Sequence, residues 1–291
     1  MNIKNFLINW VFPKGYIGLY QKINKKTKAD IFPQALFKPN EKFRNIHKGK
    51  RCFILASGPS IKNQDLSPIY GEICIAVSHF HLHDDIKKIN PKYHVLAPQH
   101  YPFNFSDSSK YFNDFKESYK NINPNIFLGL TNYEFNYLNL LKKHPELKVP
   151  NIHYLNYSEF ISLSEENHLN EKIWDISENL FIQRTVIYGA LQISIYMGFS
   201  EIYLIGVDHD YLNDITRTTN HHFYAEEKGI SDKTHLDQFD LEYWFLEYHL
   251  RWKQFRLIEN YCKEKQIKIY NATEGGMLDV FERKNLKSIF K

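Results

Sequence analysis

Cysteine is scarce in this 291-residue sequence, and its placement excludes more than its number does. Cys52, Cys74 and Cys262 lie far apart inside apolar runs, odd in number and without CxxC spacing. That argues against a disulfide framework or a thiolate zinc site and for buried thiols in a reducing compartment. Long hydrophobic runs are missing too: nothing approaches the roughly 20 apolar residues of a membrane span. The stretch FLINWVF, residues 6–12, stops at Pro13 with no small-residue cleavage site after it, and is not read as a signal peptide. Neither GxGxxG nor GxxxxGK[ST] occurs, which counts against the usual NAD site and against P-loop chemistry. Repeats and low-complexity linkers are absent. The remainder has the composition of an ordinary globular protein, long enough for one sizeable domain with an elaboration or two small ones. The expected location is the cytoplasm.

Charge is distributed unevenly. Residues 1–50 carry 11 Lys/Arg against 2 Asp/Glu, which leaves 26 against 31 for the rest. A basic arm on a mildly acidic body points to an anionic surface for the arm. The body has no basic patch or reading motif for nucleic acid, so no nucleic-acid partner is expected. Phe6, Leu7, Trp10, Val11 and Phe12 among these lysines suit a short interfacial helix at the inner membrane surface. An arm packed on the body, or on another subunit of a homo-oligomer, is the alternative.

The chain reads as strands ending in small or polar turns. Arg51–Ala56 is a buried strand running into Ser57, Gly58, Pro59 and Ser60, a turn and helix start that resembles a phosphate-binding arrangement. Ile73–Val77 is a second strand, followed by Ser78 and then His79, His81 and His83. At strand spacing these three histidines would share one face, but without a companion motif they are expected as a polar loop, not a metal site. Tyr93–Ala97 is a third strand and Asn151–Leu155 another, with an amphipathic segment at Tyr133–Lys143 between them. Residues 101–180 are otherwise less regular. The centre of the pattern is Phe181–Tyr211: a helix with one apolar face, Gly198 as its C-cap, and the strand Glu201–Val207 ending at Asp208, His209, Asp210 and Tyr211. Residues 212–248 are polar and rich in histidine and aromatics, as in a lid or acceptor-binding insertion. A helix over Tyr243–Lys265 would place Trp252, Phe255, Ile258 and Cys262 on one side. The strand Ile267–Tyr270 and the turn with Thr273, Gly275 and Gly276 close the core.

These β–loop–helix units predict a Rossmann-like, doubly wound α/β fold with a mostly parallel sheet. The expected division is a basic N-terminal extension at residues 1–48 and a nucleotide-binding domain at 49–291, with its lid at about 212–248. Ligands of such sheets lie at the carboxyl ends of the strands.

Four segments carry a family resemblance: Ile54–Ile61, Gln183-Arg184 with the helix after them, Ile202–Asp208, and His249 through Tyr270. In these the chain resembles the bacterial sialyltransferases of glycosyltransferase family 42 and the related catalytic domain of Maf flagellin glycosyltransferases. NATEGGMLDVF is similar to the Maf-type ending. The resemblance implies transfer of a nonulosonic acid from its CMP ester to a hydroxyl of a surface glycan or glycolipid, with inversion and no essential metal or other cofactor. It implies His249 as the base that takes the acceptor proton, Tyr211 and Tyr224 as donors to the leaving phosphate, and Arg184 near the active centre. Ser57, Gly58, Pro59, Ser60, Ser78, Asp208, Thr273, Gly275 and Gly276 would contact the donor. Ser57, Ser78 and Ala97 stand where the family has asparagines. Three rival readings come from other classes. Asp208-His209-Asp210 is similar to the DxD of metal-dependent transferases that use nucleoside-diphosphate sugars. A pterin pyrophosphokinase related to the Maf domain would use ATP and Mg²⁺. A non-catalytic nucleotide-binding assembly protein is the third.

Overall fold

The computed structural model describes residues 32–100, 103–158, 171–181, 184–213, 221–224 and 240–290. Eight strands form one sheet: β1 Arg51–Leu55, β2 Cys74–Val77, β3 Tyr93–Leu96, β4 Asn125–Leu130, β5 Ile152–Asn156, β6 Glu201–Ile205, β7 Lys268–Asn271 and β8 Glu282–Arg283. Their order is β5-β4-β3-β2-β1-β6-β7-β8, and every pairing is parallel. The chain therefore builds outward from β1 to β5 and returns to β1's other edge with β6. The point of return is where Rossmann-like sheets open a crevice.

Parallel strands need both faces covered, and β1, β2 and β6 are buried at almost every position. On one face Cys52, Ile54, Ile75, Val77, Ile202 and Leu204 pack against α4 (Val186–Tyr196) and α5 (Leu241–Glu264). On the other, Phe53, Leu55, Ala76, Leu128, Tyr203 and Ile205 meet α1 (Ile86–Ile89), α2 (Phe105–Ser118), α3 (Tyr137–Lys143) and the segment around Leu286. The fold is thus doubly wound. All three cysteines are buried and free.

Several expectations need correction. The central helix α4 has no single apolar face: Ile187 through Tyr196 are all buried, so it is a core helix apolar nearly all round. Gly198 does end it, with φ +81°. The region 101–180 is more regular than its sequence suggests, for it contains α2, capped by the Asn104 side chain, and β4. His79 and His81 lie on a 3₁₀ turn, Ser78–Leu82, directly after β2 where a polar loop is expected, but His81 is buried there. Residues 32–48, assigned to the extension, pack on the body: Phe37 and Phe43 are buried, and the Asn40 amide donates to the carbonyls of Tyr154 and Ile176 at 2.8 Å each. The aromatic cluster Phe6–Phe12, Gln183 and most of the expected lid lie outside the described residues. Among the described residues no helix is long and apolar enough to cross a membrane.

Candidate functional site

At the carboxyl ends of β1, β2 and β6 a cleft of about 110 Å³ is lined by Ser57, Gly58, Ser78, Thr185, Asp208–Tyr211, His221 and His222, among others. A larger cavity of about 400 Å³, between Phe115, Tyr119, Ile122 and Pro150, lies at the other end of the sheet, where β4 begins. The smaller cleft has the chemistry and stands at the point of return. It falls below the roughly 300 Å³ of ordinary ligand pockets, so a nucleotide-sized ligand requires it to widen.

The turn after β1 already holds an anion, and it is the chain's own. Ser60 donates to Asp208 twice, from its backbone N–H at 3.2 Å and from its hydroxyl at 2.9 Å. Pro59 has no N–H, and that of Gly58 is bonded to the Gly206 carbonyl at 2.9 Å. The expectation that this turn offers free donors to a phosphate is therefore corrected. Gly58 is required for space and not for dihedral freedom, since its φ is −64°. A Cβ there would overlap Asp208 Oδ2 outright and lie 2.5 Å from the Gly206 carbonyl oxygen. Burial raises the Asp208 carboxyl above its ordinary range; the Ser60 bonds oppose this and Asp210 adds to it.

The turn after β7 supports this wall. Thr273 Oγ1 accepts from the Val207 N–H at 3.0 Å, and the Asp208 carbonyl accepts from Met277 N–H at 2.7 Å. Gly276, with φ +70°, leaves no room for a Cβ, which would stand 2.7 Å from Asp208 Cα. Gly275 has open space around its Cα, and Arg283 binds its carbonyl. Ser78 sits in the left-handed region at φ +48°. Its carbonyl accepts from Tyr111 at 2.7 Å and from His94 Nε2 at 2.8 Å. His94 is consequently protonated on Nε2, and its Nδ1 accepts from the Tyr119 hydroxyl at 2.7 Å.

Tyr211 lines the cleft, its ring 5.1 Å from that of His221 and 6.0 Å from that of His209. Burial raises its phenol, Arg251 counteracting, so at neutral pH it is a hydrogen-bond donor. Tyr224 stands beside the cleft, its hydroxyl 3.1 Å from His79 Nδ1. Arg184 opens the α4 approach but pairs with Glu247 of α5, one guanidinium nitrogen lying 2.6 Å from each carboxylate oxygen. His249 does not meet the expectation for a base. It is exposed, and nine residues at 100° each put it on the opposite side of α5 from the buried Ile258.

Sequence reasoning passed over His221. Its Nδ1 lies 3.6 Å from Asp210 Oδ1, and both residues line the cleft. The only signal was its place in a histidine-rich insertion. His222 was passed over as well; its Nδ1 is 3.4 Å from Ser57 Oγ. Asp208 and Asp210, read as one DxD, are engaged by different partners, Ser60 and His221. Among the described residues no three His, Cys, Asp or Glu side chains are grouped to hold a metal ion.

No protein-family model matches the chain, and no curated protein matches it by sequence. Solved structures do. The chain resembles two glycosyltransferases. One is the Maf glycosyltransferase from Magnetospirillum magneticum AMB-1, with 14% identity over 88% of this chain and a TM-score of 0.46. The chain spans only 38% of that protein's length. The other is the sialyltransferase CstII from Campylobacter jejuni, in complex with a substrate analogue, cytidine-5'-monophosphate. Here identity is 17% over 81% of this chain and 85% of that one, with a TM-score of 0.45. At such identities and scores neither likeness assigns a residue role.

Proposed function

We propose that the chain is an inverting glycosyltransferase that moves a nonulosonic acid from its CMP ester to an acceptor hydroxyl of a glycan or glycolipid. The observation that carries the chemistry is the grouping of a protonated Tyr211 with the Asp210–His221 pair in the cleft at the sheet's point of return. The donor identity rests on the sequence resemblance.

In this reading the acceptor oxygen attacks the anomeric carbon from the face opposite the phosphate, and its proton passes to the His221 imidazole, which Asp210 orients. The anomeric C–O bond to phosphate breaks, CMP leaves with the electron pair, and Tyr211 donates a hydrogen bond to the departing oxygen. Ser57, Gly58 and Ser78 form the wall against which the nucleotide lies. Asp208, already bound to Ser60, accepts from ligand hydroxyl or amino groups and repels phosphate from the turn. The base is thus His221 in place of His249. A cytoplasmic setting at the inner membrane surface, reached through the basic arm, belongs to the same proposal.

The test combines a thermal-shift screen of CMP, CDP, UDP, GDP and ATP with transfer from a CMP-nonulosonic acid in excess EDTA. CMP should raise the melting temperature selectively. His221→Ala should lower turnover by roughly 10²–10⁴-fold, and His249→Ala should leave it near wild type. Binding of UDP or ATP with no response to CMP overturns the donor. An absolute Mg²⁺ or Mn²⁺ requirement overturns the metal-free mechanism, and an active His221→Ala overturns the base.

A further inference from the structure

Beside Tyr211, among the described residues, both ring nitrogens of His209 and Nε of Arg251 are buried with no hydrogen-bond partner. A buried polar atom that nothing ever binds is destabilising, and such orphans are rare enough in folded proteins to call for a cause. His209 lines the cleft and is only 8% exposed. It has φ +49°, a backbone conformation that a non-glycine residue holds at some energetic expense. Its ring sits among Tyr211, Trp252 and Phe255, at 6.0, 6.0 and 5.4 Å between centroids. Among the described residues no carboxylate or carbonyl supplies either nitrogen.

Arg251 reaches the same place from α5. Its guanidinium stands 5.6 Å from the ring centres of both Tyr211 and Tyr248, which are nearly coplanar in orientation at 4°. Among the described residues it has no acidic partner, whereas Arg184, on the neighbouring approach, is taken by Glu247. Aromatic faces hold a cation in position without neutralising it. An arginine so placed keeps its planar set of donors for an external oxyanion. Burial and the charge of Arg251 keep His209 neutral, so the imidazole offers one N–H donor and one acceptor nitrogen.

We propose that Arg251 and His209 form a subsite for an anionic oxygen group of the substrate, with Arg251 supplying charge and His209 a directed N–H. It rests on the reading of the cleft as a transferase site and adds the chemistry of one of its contacts. Two groups of the proposed donor have this character, the sugar carboxylate and the nucleotide phosphate. Occupancy requires the cleft to widen, as binding of the whole donor does.

The experiment uses full-length wild type, Arg251→Gln and His209→Phe, with ¹⁵N-histidine NMR and calorimetric binding. The probes are N-acetylneuraminic acid (carboxylate alone), CMP (phosphate alone), and inorganic phosphate and acetate at tens of millimolar. At least one anion should shift the His209 ring nitrogens in wild type and raise the pH at which they titrate. Arg251→Gln should weaken that anion at least tenfold and abolish the titration change. His209→Phe should weaken it about threefold to tenfold without lowering the melting temperature of the ligand-free protein, since it removes two unpartnered polar atoms. A response to N-acetylneuraminic acid identifies the carboxylate as the group bound, and a response to CMP identifies the phosphate. A response to phosphate or acetate alone keeps the anion subsite and removes the CMP-sugar donor. If no probe moves His209, or if affinity is unchanged in both variants, the subsite is refuted. A marked loss of stability in His209→Phe with no change in binding would make the residue structural and refute it equally.

Discussion

Gly58→Ala offers the most direct test of how the cleft is built. The added methyl would overlap Asp208 Oδ2 and lie 2.7 Å from Asp208 Cγ and 2.5 Å from the Gly206 carbonyl oxygen, so the carboxylate must leave its place. Leaving it breaks both bonds from Ser60, at 3.2 and 2.9 Å. Hydrogen bonds to a charged group contribute about 1.5–3 kcal/mol each, so the loss should be about 3–6 kcal/mol. At roughly 2 °C per kcal/mol for a chain of this size, the melting temperature should fall by about 6–12 °C. Urea unfolding followed by circular dichroism measures the same quantity at constant temperature. The decisive comparison is Gly58→Ala in an Asp208→Ala background, where the obstructing carboxylate is gone. There the glycine substitution should cost at least about 2 kcal/mol less, a coupling expected of groups in contact. Equal costs in both backgrounds, or a loss under about 1 kcal/mol in the first, would refute the account of this turn.

Acid should weaken the fold through its histidines. Burial lowers His79 to about 4 and His81 to about 3, so the folded protein keeps them neutral where the unfolded chain, near 6.5, takes up protons. Their contribution is complete above about pH 6.5 and drains as pH falls toward 4, by up to roughly 1.4 kcal/mol per pH unit for each. Urea melts at pH 7 and pH 5 should differ accordingly, and equal midpoints would contradict it. Thr273→Ala should cost about 1–3 kcal/mol by stranding the Val207 N–H. Thr273→Ser should recover most of that in the same melts, and a silent Thr273→Ala would show that the bond is dispensable.

The strands that position the cleft were legible in sequence because parallel strands covered on both faces leave short apolar runs: CFIL, CIAV and YLI. β4 was not legible. Gly129 interrupts NIFLGL, and the reason for a glycine there is tertiary, since a Cβ would stand 2.7 Å from the Pro98 ring. The turn Ser57–Ser60 was recognisable as a turn, but its occupant comes from Asp208, 148 positions away. Local sequence shows which donors a turn exposes and not which side chain arrives to bind them. His249 is the opposite case. Its helical register against Phe255, Ile258 and Cys262 was countable from the sequence, and the family resemblance outweighed it. His209 and Arg251 were hidden for a different reason: an unsatisfied nitrogen becomes visible only when every neighbour is known.

The pairing of β1 with β6 has a consequence for the chain during its synthesis. Arg51 and Glu201 are adjacent in the sheet, yet 150 residues separate them along the chain. At about 5–20 residues per second, the ribosome takes roughly 8–30 s to deliver β6 after β1. Through that interval β2–β5 can assemble on one side of β1 while its other edge offers unpaired backbone groups to any passing strand. The segment that completes the cleft thus emerges long after the strand it pairs with. Substitutions that slow the docking of β6 should therefore reveal themselves as chaperone dependence and aggregation of the newborn chain, even where the finished protein melts normally.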